Sequence, residues 1–468
     1  MKFATLCLFL FSITVFLKAQ DSTIYLSIKA IEIEGNKKTK DHIIFREMTF
    51  LVGDTINAID LENEIQKSAH QILKTSLFTD CNILIQEWTN NELSLVVNLV
   101  ERWYTIPIPQ FKLADRNFNV WWNEHNRSLD RVTYGLKFTQ YNVMGLNHTL
   151  RFTALSGYRQ NLMMQYTMPY FNKEQSLGTK IIFDYSRQRE TAVVTDSNKH
   201  VFVKGDQFIY KKFFTGLLFT YRNKLHYSHN ISIAYNHLNV GDTVITANPE
   251  YLQNDGNKQD YLNISYAFNI DYTDNFYYPL KGYFAKVGFS KTGFGIINDV
   301  NSLTFRGSYS KFSDLGKKWY LSNHIYGVKS FPDEQPFNIR PAAGFRERYV
   351  RGYELYVVDG HSYFINRNNI KYELFDFKLR NLPSAQIESL KEIPFKFYVK
   401  AFADVGYVWD DFYHTLRYNS INNNLMASYG IGVDVVTLYD IGVRFEYAFN
   451  NLSENGLFLH FGSDMPKP

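Results

Sequence analysis

Residues 439–449 read Tyr-Asp-Ile-Gly-Val-Arg-Phe-Glu-Tyr-Ala-Phe, an alternation of apolar and polar residues that predicts a β-strand. Successive side chains of a strand point to opposite faces, so this segment has one apolar and one polar face. The same pattern recurs at residues 131–141 and 261–272. Strands of this length can cross a bilayer when tilted, which takes about 9–11 residues. Because a soluble β-sandwich also alternates, the pattern alone leaves both architectures open.

The composition favours a membrane barrel over a sandwich. Aromatic residues make up 17% of the chain, with 34 Tyr and 39 Phe, yet the mean hydropathy is −0.28. Outer-membrane barrels combine these properties because aromatic girdles mark both membrane interfaces while the lumen is polar. Beyond the N-terminal apolar run, no stretch approaches the apolar length of a transmembrane helix, which excludes a helical membrane protein.

The lengths of the connections predict an all-β transmembrane barrel of about 16 antiparallel strands over residues 103–468. Links after odd-numbered strands include the longest ones, as expected for outer loops, and links after even-numbered strands are mostly tight. The link 376–393 departs from this rule. The strands are expected near residues 104–112, 131–142, 147–157, 160–169, 177–187, 207–222, 225–239, 260–273, 282–291, 301–313, 318–331, 362–375, 394–408, 425–436, 439–449 and 456–462.

The first residues are typical of an export signal. Lys2 precedes an apolar run over residues 4–17, and Ala19 offers a small residue for cleavage, which predicts a signal peptide over residues 1–19. The run is shorter than the roughly 20 residues of a membrane-spanning helix, which disfavours an N-terminal anchor. A lipoprotein signal at Cys7 is discounted because this cysteine lies inside the apolar run.

Removal of the signal would leave Cys81 as the sole cysteine, which excludes an internal disulfide. The formal charge of +4 would fall to +2 with the loss of Lys2 and Lys18. A chain that is nearly neutral and has no basic block disfavours nucleic acid as a partner.

Residues 25–102 follow a different pattern and predict a separate α+β domain. Gly35-Asn36 and Asn90-Asn91 are typical turns, and Gly53-Asp54-Thr55 is expected to break a helix. The order is β-α-α-β-β. The expected elements are strands at 28–34, 81–87 and 93–101 and helices at 40–48 and 61–75.

The seam between the first and last strands is expected to be the weakest junction of the barrel wall. Pro107 and Pro109 lie in the first strand, where proline cannot donate a ladder hydrogen bond. The last strand, which contains Gly456 and Phe461, is short. If the prolines only mark a frayed strand start, they do not weaken the seam, and this alternative stays open.

Four segments of the N-terminal unit form a distinctive set: Ile31–Thr39, Ile43–Glu47, Gly53-Asp54 and Leu73–Phe78. In this combination the unit resembles a POTRA domain, the periplasmic module of the BamA/TamA superfamily. General insertases of this superfamily carry several POTRA domains. One domain therefore implies a specialised or accessory member.

The predicted barrel resembles the same superfamily over nearly the whole mature chain. Its last strand alternates up to the aromatic Phe461, like the targeting signal of outer-membrane barrels, although residues 462–468 continue beyond it. Three segments carry signatures: Tyr349-Val350-Arg351-Gly352-Tyr353 in the sixth outer loop, Phe402-Ala403-Asp404-Val405-Gly406 in the thirteenth strand, and Asp274 with Pro279-Leu280-Lys281-Gly282 in a turn.

The resemblance implies that Arg351 folds into the lumen and is held there by carboxylates. Strand parity agrees, since Glu373 and Asp404 both fall on the faces opposite the apolar, lipid-facing residues. A guanidinium can bond two carboxylates in a fixed fork geometry. We therefore expect Glu373 and Asp404 to bind Arg351, with a solvated loop arginine as the alternative.

The sequence offers no convincing enzyme site. Its 12 His are scattered, and Gly293-Phe294-Gly295 lacks the later glycine of a dinucleotide-binding loop. Asp410-Asp411 is more typical of a solvated loop than of a cation site. We therefore predict no catalytic, cofactor-binding or metal-binding residues.

Together these features predict a factor for outer-membrane protein assembly, insertion or translocation. The POTRA domain is expected to lie in the periplasm and to bind clients by strand addition, and the seam is expected to open laterally. The expected partners are outer-membrane lipids, unfolded barrel or secreted clients, and periplasmic chaperones or accessory lipoproteins. The alternatives are a dedicated secretion pore, a passive channel and a surface receptor.

Overall fold

The computed structural model describes residues 24–461 except 115–120, 123–124, 173, 175, 225, 255, 276–277, 298–299, 345–347, 381–391, 413–416 and 438–440. The chain divides into two compact units at the boundary between Arg102 and Trp103. The predicted signal peptide and the tail after Phe461 lie outside the described residues.

The first unit is a four-stranded sheet with two helices. The elements are β1 Tyr25–Glu34, α1 Asp41–Phe45, β2 Thr55–Asn57, α2 Leu61–Lys74, β3 Phe78–Thr89 and β4 Glu92–Glu101. The sheet order is β2-β1-β4-β3, in which β1 and β4 are parallel and the other pairs are antiparallel. Strand β2 was not predicted, because three residues are too few to show an alternation in the sequence.

The core of this unit lies between the sheet and α2. Leu93, Leu95 and Val97 alternate along β4 and are fully buried, as is Ile72 of α2. Each such side chain contributes about 1.5–3 kcal/mol by leaving water. Ser68 is also buried in α2, but its hydroxyl accepts a hydrogen bond from a backbone N–H at 3.0 Å, so it carries no unpaired polar group.

The second unit is one antiparallel sheet of 16 strands, in which each strand pairs with its neighbour along the chain. This confirms the predicted all-β barrel. Strands 1 to 16 span Thr105–Leu113, Val132–Val143, His148–Gly157, Arg159–Met168, Leu177–Gln188, Tyr210–Lys224, Tyr227–Val240, Lys258–Asp271, Gly282–Thr292, Ser302–Gly316, Trp319–Phe331, Ser362–Arg380, Glu392–Trp409, Met426–Thr437, Ile441–Asn450 and Asn455–Phe461.

The two faces of strand 15 show which way the sheet is rolled. Arg444 and Glu446 are fully buried, whereas Phe445 and Tyr447 are exposed. A soluble sandwich would bury the aromatic face instead. The charged face is therefore the interior of the barrel, and the aromatic face is its outer surface.

The links contain more structure than was predicted. The link after strand 5 forms a hairpin of Glu190–Asp196 and Lys199–Lys204, and the link after strand 7 contains a helix, Asp242–Ala247. Strand 12 continues to Arg380 and strand 13 begins at Glu392, so part of the unusual link 376–393 is strand. None of the helices in the described part of the chain is long and apolar enough to cross a membrane.

Strands 1 and 16 are the two ends of the sheet. Within the described residues, each of them forms a ladder only with its neighbour, strand 2 or strand 15. Pro107 and Pro109 lie in strand 1 and are opposite Phe138 and Leu136 of strand 2. The predicted seam is thus the position at which the ladder is interrupted.

Candidate functional site

Arg351 lies in the link between strands 11 and 12, yet its side chain is fully buried inside the barrel. Its guanidinium donates to both oxygens of Asp404 on strand 13, with distances of 2.7 Å from Nε and 2.6 Å from a terminal nitrogen. The backbone N–H of Arg351 donates to the same carboxylate at 3.2 Å. This is the bidentate geometry that makes arginine–carboxylate pairs strong and directional.

The second carboxylate at Arg351 is Glu446 of strand 15, at 3.3 Å, and not the predicted Glu373. Glu373 faces the interior but accepts a hydrogen bond from the Tyr398 hydroxyl at 3.4 Å. It pairs with Tyr398, which is six residues from Asp404 along strand 13, or about 20 Å at 3.3 Å per residue. Strand parity identifies the face of a side chain correctly, but it does not give the height of that side chain in the barrel.

The predicted strand signature contacts the loop signature at three consecutive interior positions. The Phe402 ring lies under the Arg351 guanidinium, 3.9 Å from the ring centroid, and Asp404 binds the same guanidinium. At Gly406 an added Cβ would lie 2.5 Å from a methyl carbon of Val350. Alternate residues of strand 13 therefore stack against, bind and make room for the loop.

The rest of the loop signature attaches to the hairpin between strands 15 and 16. Gly352 has a φ of +85°, a left-handed conformation that favours glycine, and its carbonyl accepts from the Asn450 side chain at 2.8 Å. The Tyr353 hydroxyl donates to the side chain of Asn451, and the Tyr356 hydroxyl donates to Glu454 at 2.6 Å. We call residues 349–356 the inner loop.

The inner loop also contacts strand 16 itself. The Tyr349 ring stacks on His460, with centroids 5.3 Å apart, and its hydroxyl hydrogen-bonds Nδ1 of that ring at 3.1 Å. The other ring nitrogen of His460 lies 3.3 Å from Glu446 and 3.4 Å from Glu354. The loop thus connects strand 13, strand 15 and the strand at the seam.

Further buried charges pair around Glu446. Lys400 Nζ lies 2.5 Å from Glu446 and 2.7 Å from Asp434, and Asp434 also accepts from the Tyr278 hydroxyl at 2.7 Å. These residues were not predicted as part of the site. For Glu446 the strand alternation of residues 439–449 indicates a place on the polar face. Nothing local in the sequence indicates which buried partners it contacts.

Just after the inner loop in the chain, the tip of the hairpin after strand 5 joins two other links. Asn198 donates from its backbone to Asn419 at 2.7 Å and from its side chain to Asn422 at 2.8 Å. Its carbonyl accepts from Val357, just after the inner loop, at 2.8 Å. Nothing local in the sequence indicates this contact, because it joins three distant links.

The predicted seam residues do not join this site. Pro107 and Pro109 are exposed on strand 1, Phe461 is exposed at the end of strand 16, and Gly456 pairs with Ala448 of strand 15. Among the described residues, the Arg351 signature therefore contacts the seam through His460.

Comparison with known proteins places this arrangement in a family. A sequence model of the Omp85 superfamily domain matches residues 142–458, a range that includes Arg351, Asp404 and Glu446. The chain belongs to the Omp85 superfamily. A second model, described as the surface antigen variable number repeat and named POTRA, matches residues 26–102. This Omp85 protein therefore has both modules of the resemblance seen in its sequence.

Two solved structures share the fold of this Omp85 protein. BamA from Haemophilus ducreyi lacking POTRA domains 1–3 has a TM-score of 0.54 at 15% identity, covering 93% of this chain and 83% of that one. CdiB from Escherichia coli has a TM-score of 0.56 at 11% identity, covering 94% and 76%. No curated protein matches the chain.

Proposed function

We propose that this Omp85 protein inserts or translocates polypeptide clients at the bacterial outer membrane, without an enzymatic step, and that its seam opens laterally. The observation that carries the proposal is the asymmetry of the seam. Contacts of the inner loop hold strand 16 through His460, while the neighbouring ladder ends at strand 1. Strand 16 can therefore keep its place while strand 1 separates from it.

An open seam would offer backbone groups to a client strand. The edge of a sheet presents unpaired N–H and C=O groups, and an extended segment can add to it as a further strand. Nucleotide hydrolysis is not needed for this step. Client folding supplies the driving force, because a closed barrel satisfies every backbone group before it meets lipid.

The POTRA unit supplies a second edge for the same clients. Strand β3 lies at one end of its sheet and is 12 residues long. Leu84, Ile85 and Trp88 of this strand are exposed. A long edge with exposed apolar side chains fits a client strand, with the POTRA unit in the periplasm and periplasmic chaperones or accessory lipoproteins delivering clients to it.

The outer surface supports a location among outer-membrane lipids. Exposed aromatic and aliphatic side chains recur on alternate positions of neighbouring strands, for example Phe289, Phe305 and Ile325. An outward apolar band of this kind is typical of bacterial membrane barrels.

Depletion of the protein followed by quantitative proteomics of the outer membrane tests the proposal. Loss of many barrel proteins would indicate general insertion, and loss of one surface or secreted protein would indicate a dedicated translocator. An unchanged profile would contradict both forms of the proposal and favour a channel or a receptor.

Lateral opening has its own test. Cysteines are introduced in pairs, one within residues 105–113 and one within residues 455–461, to find a pair that forms a disulfide across the seam. Buried Cys81 is replaced by serine in every variant to keep the readout clean. Oxidation should block client assembly and reduction should restore it, and full activity of the crosslinked form would rule out lateral opening.

A further inference from the structure

The interior charges of the barrel are distributed unevenly around its wall. The ladder register shows which residues share the interior face with Asp404 and Arg444. On strands 1 to 6 this face carries six basic residues and one acidic residue, Asp184. We call the six the basic wall: Lys112, Lys137, Arg151, Arg159, Lys180 and Lys212.

The opposite part of the wall is balanced. On strands 12 to 15, Lys396 and Asp376 of the interior face pair with each other at 3.4 Å, and four basic and four acidic residues of that face are buried. These eight are Arg367, Lys371, Lys400 and Arg444 with Glu373, Asp404, Asp434 and Glu446. The unbalanced positive charge of strands 1 to 6 therefore lies on the strands that begin at the seam.

Several residues of the basic wall lie near one another on adjacent or next-but-one strands. Lys137 lies within electrostatic range of Lys112 and Arg151, and Arg151 lies within range of Lys180. Like charges within this range repel one another. Together these four cations form a row across strands 1, 2, 3 and 5.

The hydrogen bonds of this wall go to neutral groups. Arg151 donates to Gln165 at 3.5 Å, and Arg159 donates to Ser186 at 2.9 Å. Within the described part of the chain, no carboxylate lies within ion-pair distance of the four cations in the row. No basic-wall side chain is buried: Lys112 and Arg159 are exposed and the other four are partly exposed. The wall therefore presents accessible positive charge to the interior.

We propose that the basic wall binds an acidic segment of a polypeptide client inside the barrel. That the ligand is a polypeptide rests on the proposed function. The row crosses strands 1 to 5, or about 19 Å at about 4.8 Å per strand. That distance matches about six residues of extended chain. A small anion would engage only one or two of these cations. The row begins at Lys112 on strand 1, so a client entering at the seam meets it first.

Binding of a fluorescent ten-residue glutamate peptide to the full-length protein in detergent tests this inference by anisotropy. The variant replaces Lys112, Lys137, Arg151 and Lys180 with glutamine. We expect at least tenfold weaker binding in this variant and a steep loss of binding with salt. The matched control, Lys286→Gln with Arg306→Gln, removes interior cations outside the wall and should keep the affinity within about twofold.

Three results of the peptide measurements would overturn the inference. These are absence of glutamate-peptide binding to the unmodified protein, equal affinity in the fourfold variant, and equal binding of a ten-residue glutamine peptide. Displacement by inorganic phosphate at equal total charge would show a simple anion site, and displacement by phosphatidylglycerol vesicles alone would show a lipid site. Either would also overturn it.

Heat-modifiability on gels verifies that the fourfold variant is folded. If the fourfold variant is not folded, the single variant Lys137→Gln is measured instead. We expect at least a threefold loss of affinity in this variant, and an unchanged affinity would count against the inference. Client levels in cells separate this inference from the proposed function. Loss of clients on depletion, together with no peptide binding, would leave the proposed function standing and refute only the basic wall.

Discussion

Replacement of Arg351 with alanine should destabilise the barrel by about 3 kcal/mol, at the lower end of the range for breaking a buried ion pair. The side chain donates two hydrogen bonds to Asp404, one to Glu446 and one to Asn369 at 2.6 Å. Its loss removes the one cation that contacts both the Asp404 and Glu446 carboxylates, and it removes the cation from the face of Phe402.

The neighbours of these carboxylates set the magnitude. Arg367 lies 3.9 Å from Asp404, and Lys400 lies 2.5 Å from Glu446, so neither carboxylate is left without a cation nearby. Breaking a buried pair costs about 3–5 kcal/mol when one charge is left uncompensated. Because partial compensation remains, we expect a value near about 3 and not about 5 kcal/mol.

Urea unfolding in lipid vesicles measures this loss, with heat-modifiability on gels as a second readout. A double-mutant cycle with Asp404→Ala should give a coupling energy of about 2 kcal/mol. Arg306→Ala is the matched control, because Arg306 also faces the interior but is exposed and donates to Ser290 at 2.8 Å. Its loss should stay within about 0.5 kcal/mol.

Equal stabilities of the Arg351 and Arg306 variants would refute the reasoning. So would a coupling energy to Asp404 below about 0.5 kcal/mol, which is the range of independent sites. A stability loss without any loss of client assembly would show that the inner loop serves folding alone.

Three further predictions use matched pairs or a built-in probe. Glu446→Gln should lower the unfolding free energy by about 2 kcal/mol or more, whereas Glu373→Gln should change it by less than half as much. The reason is that, of these two carboxylates, only that of Glu446 binds Arg351. Equal effects in urea unfolding would contradict Glu446 as the partner of Arg351. Gly406→Ala should lower the unfolding free energy by about 1–3 kcal/mol, because the new Cβ crowds the inner loop. Gly307→Ala is the control and should be tolerated, because its new Cβ meets nothing within 4 Å. A larger loss of stability in the Gly307 variant than in the Gly406 variant would contradict the packing. Burial, aided by the neighbouring aspartate, raises the pKa of the Cys81 thiol to about 12. Native protein at pH 8 should therefore react slowly with iodoacetamide, whereas protein unfolded in urea should be labelled rapidly. Equal labelling rates in the two states would contradict this prediction.

The strands of the barrel could be predicted from sequence because their signal is local. Alternation over ten or more residues needs no knowledge of the neighbours, and all 16 predicted strands are present, although Strand 12 extends to Arg380 beyond its predicted end at residue 375. Short elements such as Thr55–Asn57 and the hairpin at 190–204 were missed. In short segments the alternation cannot be distinguished from a loop.

The site could be predicted only in part, for the same reason. Parity assigned Asp404 and Glu373 to the interior, and both are there. The choice between Glu373 and Glu446 depends on which height of the barrel the inner loop reaches, and this is set by contacts such as Gly352 with Asn450 across distant parts of the chain. A pattern with a period of two carries no information about that height.

The chemistry of the inner loop explains why its anchors are charged. A buried ion pair is seldom more stabilising than well-packed apolar residues, so stability alone does not account for Arg351. An apolar loop in a polar interior would bind at many positions, whereas a guanidinium needs the Asp404 fork, the Phe402 face and Glu446 together. Only one position of the loop offers all three. The ion pair therefore selects a single attachment of the loop to strands 13, 15 and 16. Under the proposed function, this attachment would keep strand 16 in place while the seam opens.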